Sequence, residues 1–206
     1  MKTAQATVAA SVLDVSRLPT YAFGPRSLMW WGTLGLIAIE STVFAIALVL
    51  YFYLRGIADA WPLTAQPPSL FYGTLNTAIL LLSGIPNHFA AKAAKRENRR
   101  AVQLWMVVCI VFALGFLAVR AFEFTALHIR WDQNAYGSIV HALLVLHTAH
   151  LVTDFIDTVV LAVLMFTGPL WGRRFVDVAE NAAYWWFVVI AWLPIYFTIY
   201  WAPRVL

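Results

Sequence analysis

The feature that most constrains this chain is a succession of five long apolar runs. They extend from Leu28 to Leu54, about Ser69 to Ala91, about Ala101 to Phe122, Tyr136 to Phe166 and Ala182 to Trp201. A helix rises about 1.5 Å per residue, so each run is long enough to cross the ~30 Å of hydrocarbon in a bilayer. Composition points the same way, with 62% of the 206 residues hydrophobic and only 12% charged, where a globular chain carries roughly 25% charged residues. A fold of this size exposes too much surface to hide that apolar surplus from water. The sequence therefore predicts an all-α polytopic membrane protein, a bundle of five transmembrane helices. Residues 1–26 read as a retained cytoplasmic segment without the unbroken apolar core of a signal peptide, and residues 27–206 as the transmembrane domain.

The positions of Lys and Arg predict the orientation. The linker between spans 2 and 3 holds Lys92, Lys95, Arg96, Arg99 and Arg100, and Lys2, Arg17, Arg26, Arg173 and Arg174 fall on the same side. The other side receives Arg55, Arg130 and Arg204. By the positive-inside rule the N-terminus is cytoplasmic and the C-terminus lies outside. This sorting also accounts for the net charge of +4 without a nucleic-acid partner. Cys109 has no second cysteine to pair with. Most of the ten tryptophans lie near run ends, as expected of an interfacial belt.

Ionisable groups inside spans cost about 2.5–3.5 kcal/mol each at mid-helix and so need a reason. Glu40 lies almost midway along span 1, and Leu36, Ile37, Val43 and Phe44, its neighbours one turn away, are all apolar. Its partner must come from another helix or from water. Two readings stay open: a hydrogen-bonded carboxyl that fixes packing, or one that handles protons. In span 4, His147, His150, Asp154 and Asp157 are spaced three, four and three residues apart, which puts them on one helix face. Such a stripe must face the bundle, a partner or a water-filled crevice. A hydrogen-bonded network is the default, because bundle metal sites draw ligands from several facing helices and the other spans offer few. Glu123 ends span 3, and Arg120 three residues before it is placed to pair with it on the helix surface. No nucleophile elbow, phosphate loop, dinucleotide fingerprint or paired HExxH occurs. The residues alone leave open a non-catalytic subunit, a small transporter or a membrane enzyme.

Five segments in order resemble subunit III of the haem-copper oxidases. Span 1, LGLIAIESTVFAIALVLYFYLR, resembles the helix with a buried glutamate and a closing aromatic pair before Arg. LNTAILLLSG, the basic linker AKAAKRENRRAVQLW and LGFLAVRAFEF are similar to the stretches that follow. YGSIVHALLVLHTAHL resembles the family's Tyr, Ser and His-x-x-His pattern, and AAYWWFVVIAWLPIYFTIYW its last helix. The resemblance implies a short, five-helix subunit III of a terminal oxidase of cytochrome c oxidase type, in the inner membrane of a bacterium. Such a subunit has no active site, metal or redox cofactor of its own. It packs against subunit I, which carries haem and copper, in a complex with subunit II. It binds structural phospholipid and supports proton uptake and the stability of the complex. Glu40 matches the family's carbodiimide-reactive carboxyl, His147 and His150 the histidine pair, and Glu123 the glutamate ending the preceding helix. Two departures stand out: Trp186 and Val189 occupy positions where the family commonly has His and Asp, and Asp154 stands where it usually has glycine. They raise the alternative of an accessory subunit of nitric oxide reductase.

Overall fold

The computed structural model describes residues 21–63, 66–169 and 172–206. Five long helices follow one another: α1 Leu28–Gly56, α2 Leu70–Lys95, α3 Arg99–Thr125, α4 Ala135–Thr167 and α5 Gly172–Tyr196. A π-helical turn, Phe197–Trp201, and a final α-helical turn, Ala202–Val205, prolong α5. Residues 1–20 of the N-terminal segment lie outside the described residues, as do 64–65 and 170–171.

Polar residues outside the apolar runs start these helices. The side chains of Ser27, Ser69, Asn98 and Asn134 accept from the amides of Met29, Phe71, Ala101 and Gly137, satisfying donors that a first helical turn leaves free. The opposite problem, free carbonyls at the end of α4, is met by basic side chains. Arg99 Nε and Nη2 donate to the Met165 and Phe166 carbonyls at 3.0 and 2.9 Å, and Gln103 donates to Met165 at 2.9 Å. The sequence's basic linker thus bonds to the neighbouring helix end. Helix α5 begins about ten residues before its apolar run, because Phe175, Val178 and Glu180 are already buried there, the first two among Val102, Met106 and Leu161 of α3 and α4.

Among the described residues, four helices, counting α5 with its extension to Val205, are long and apolar enough to cross a membrane. Helix α2 is long enough at 26 residues but more polar, and it turns Asn76, Ser83 and Asn87 inward. The core gathers around α4 and α5, with Trp192, Tyr136, Phe116, Leu143, Leu144 and Leu151 enclosed. Helix α1 is peripheral. Only Phe44 and Tyr51 of its 29 residues are buried, so most of its apolar surface faces outward.

Bilayer helices gain little from apolar burial against each other, so close packing and hydrogen bonds between helices matter more. Trp185 and Trp192 each donate their indole N–H to α2, to Ser83 Oγ at 2.9 Å and Thr77 Oγ1 at 2.8 Å. Small residues on α2 allow that approach. A Cβ at Gly73 would lie 2.5 Å from the Tyr200 ring, and one at Gly84 would lie 2.5 Å from Trp186. Trp186 therefore fills space that Gly84 leaves. Gly73→Ala should displace Tyr200 and destabilise the fold by about 1–3 kcal/mol, in the range of overpacked cores. Thermal unfolding in detergent checks this, with Gly115→Ala, whose new methyl meets open space, expected to unfold like the wild type.

Candidate functional site

The intramembrane polar residues form three connected centres where helices meet. The first is built on Glu40, which is partly buried at 19% exposure. Tyr184 of α5 donates its hydroxyl to Glu40 Oε2 at 2.5 Å, and His150 Nε2 of α4 lies 3.7 Å from Oε1. The partner that α1 lacks thus comes from α4 and α5. The other ring nitrogen, Nδ1, is 2.7 Å from the Leu146 carbonyl, which accepts only, so Nδ1 carries a proton. Nε2 faces the Glu40 carboxyl at 3.7 Å without closing a hydrogen bond to it.

The second centre is buried. Arg120 and Glu123 are each 1% exposed and stand 3.1 Å apart. The sequence places this pair on the helix surface, but the structure encloses it. The guanidinium lies over the faces of two mutually perpendicular rings, 4.2 Å from the Trp192 centroid and 4.8 Å from that of Phe116, a geometry in which the ring faces attract a cation. Asn76 donates to Glu123 Oε2 at 2.5 Å and the Tyr200 hydroxyl donates to Oε1. His147 completes the centre. Its Nε2 is 3.0 Å from the Val188 carbonyl and its Nδ1 is 3.4 Å from Arg120 Nη2. Nε2 must therefore donate and Nδ1 accept, so His147 is the neutral ε tautomer. The contact between Arg120 Nη1 and Glu123 lacks hydrogen-bond alignment, and Arg120 Nε has no partner among the described residues, so Coulomb attraction, the rings and the His147 hydrogen bond hold the cation.

The third centre is an amide clamp. Asn181 Nδ2 donates to Asp154 Oδ1 at 3.0 Å and to Asp157 Oδ2 at 3.1 Å, while its Oδ1 accepts from Thr158 at 3.1 Å. The four residues of the span 4 stripe therefore serve different neighbours: His147 turns to α3 and α5, His150 to α1, and the two aspartates to α5. Phe44 of α1 packs beside both histidines, with its centroid 4.8 Å from His150 and 6.4 Å from His147. Tyr184, Asn181, Asn76 and Tyr200 complete these centres and were not singled out in the sequence. A search for polar residues inside or at the ends of the apolar runs finds all four.

This is an integral membrane bundle whose ionisable groups are partnered across helices. The family Cytochrome c oxidase subunit III matches residues 31–203. The chain is 24% identical over 178 residues to cytochrome c oxidase subunit 3 of Thermostichus vulcanus, spanning 82% of this chain and 85% of that protein. It is 25% identical over 165 residues to the same subunit of Alkalihalophilus pseudofirmus, covering 78% and 80%. A haem-copper oxidase subunit I+III of Aeropyrum pernix matches at 27% over 187 residues, 84% of this chain and 22% of that longer protein. The chain belongs to the cytochrome c oxidase subunit III family.

Removing one charge of the enclosed pair leaves the other uncompensated, at a cost of about 3–5 kcal/mol. Glu123→Gln should therefore lower the thermal midpoint in detergent sharply. Adding Arg120→Met, which removes the orphaned cation, should recover most of the loss. A double variant no more stable than the single one would show that the pair is not what Glu123 contributes.

Proposed function

We propose that this chain is the non-catalytic subunit III of a haem-copper terminal oxidase of cytochrome c oxidase type. It packs on subunit I, which carries the haem and copper that reduce oxygen, in a complex with subunit II. Membership of the subunit III family along residues 31–203 carries this reading. The Aeropyrum pernix relative, whose name joins subunits I and III, supports subunit I as the partner. The names of the relatives favour an oxidase over a nitric oxide reductase complex.

Within that complex the chain stabilises subunit I, carries structural phospholipid on its exposed apolar faces and supports proton uptake through Glu40. The placement of the Glu40 carboxyl beside His150, with Tyr184 bonded to the same carboxyl, supports the proton role. The protein resides in the inner membrane of a bacterium. Its basic end, with Arg26, Lys92, Arg99 and Arg173, faces the cytoplasm, and its C-terminus faces outward.

Purification of the chain from its own membrane in mild detergent, followed by an absorption spectrum, tests the assignment. Haem-bearing partners should accompany it, and a chain that moves solute alone with no associated haem would overturn the reading. In the purified complex, Glu40→Gln should leave initial oxygen reduction within about twofold of wild type, because a supporting residue does not touch the reacting atoms. The same change should slow proton uptake or shorten the active lifetime. Loss of all turnover in a fully assembled complex would contradict a supporting role.

A further inference from the structure

Helices α2, α3, α4 and α5 meet around a small cavity of about 10 Å³, room for one water molecule. Four polar side chains line it: Asn87 of α2, Cys109 of α3, Thr158 of α4 and Asn181 of α5. Met106 and Val178, both buried, close part of the remaining wall. Asn181 also lines the wider crevice between α1, α4 and α5, so the cavity backs onto the amide clamp. Voids that stay empty inside proteins are apolar, and this one is not.

The unused hydrogen-bonding capacity of the lining defines what fits. Asn87 is 5% exposed and donates one amide hydrogen to the Ala182 carbonyl at 2.9 Å. Its Oδ1 accepts nothing among the described residues. Thr158 is 7% exposed and gives its single hydroxyl hydrogen to Asn181 Oδ1 at 3.1 Å, which leaves its own oxygen free to accept. Both amide hydrogens of Asn181 go to Asp154 and Asp157. The cavity thus offers acceptors from α2 and from α4 and, in the Cys109 thiol, a weak donor. An ion finds no Asp, Glu, Lys, Arg or His in the lining to balance it. What fits is a single heavy atom with two hydrogens to donate. We propose that the cavity binds one ordered water that bridges α2 to the clamp, donating to Asn87 Oδ1 and to Thr158 Oγ1. With that bond in place the Thr158 hydrogen stays directed at Asn181 Oδ1. The Asn181 amide is then held the one way round that presents both hydrogens to the aspartates. The water positions the polar groups on the crevice wall, whatever complex the chain joins.

A density map of the full chain, purified with the partners that accompany it and at a resolution that shows ordered water, tests the site. One peak should stand within about 3 Å of both Asn87 Oδ1 and Thr158 Oγ1. Thermal midpoints in detergent test the bridge. No hydrogen bond joins Asn87 to Thr158 directly, so Asn87→Leu and Thr158→Val interact only through what the two side chains share. Once either change has been made, the other should lower the midpoint by less than half of what it does alone. In the map, Thr158→Val should lose the peak, and Thr158→Ser, which keeps the hydroxyl, should retain it. That pair of maps stands as the test if Asn87→Leu fails to accumulate. An empty cavity, a peak that reaches only one of the two side chains, a peak that survives Thr158→Val, or fully additive midpoint losses would each overturn the proposal.

Discussion

The enclosed Arg120–Glu123 pair sets the terms for the rest of the bundle. Hydrocarbon cannot solvate a charge, so a buried cation must be surrounded by protein groups that favour it. Here the surroundings are recruited from four helices: Asn76 from α2, Phe116 and Glu123 from α3, His147 from α4, and Trp192 from α5, with Tyr200 from the π-helical turn beyond it. Few relative placements of those helices would satisfy all of these contacts at once. The π-helical turn past Pro194 gains meaning in that light, because it carries the Tyr200 hydroxyl that completes Glu123. Gly73 provides the space for that ring.

The Glu40 centre is built on a different principle. Its carboxyl is not sealed in but lies at the inner end of a crevice, with Tyr184 and His150 as neighbours. Phe44 packs against one histidine of this centre and one of the buried centre. The replacements that set this chain apart also fit the geometry. Trp186 seats its ring against Gly84 instead of adding a polar group, and Val189 is buried in the core. Polarity has instead gathered where α4 meets α5, with Asp154 and Asp157 of α4 held by Asn181 of α5.

Much of the fold was legible because apolar run length is a property of the chain itself. The five runs appear as five helices in order, and serines and asparagines at the starts of four of them supply caps. Helix α5 shows where that legibility ends. Arg173, Arg174, Asp177 and Glu180 lower the hydropathy of its first turns, yet burial of Phe175 and Val178 keeps them helical. The polar residues were visible as candidates, but their pairings were not. His147 and His150 lie one turn apart on the same helix and face different centres, a distinction that helical periodicity alone does not resolve.

From its residues alone this chain was bound to cross a membrane as helices and to carry ionisable groups into it. Both follow from hydropathy and the need to close every backbone hydrogen bond, which are local matters. Which groups would meet was decided only by tertiary packing. Glu40 found Tyr184 across 144 residues, and Glu123 found Tyr200 across 77. Contacts between groups so far apart in the chain depend on how five helices rotate and lean against one another, and that is set by the whole bundle at once.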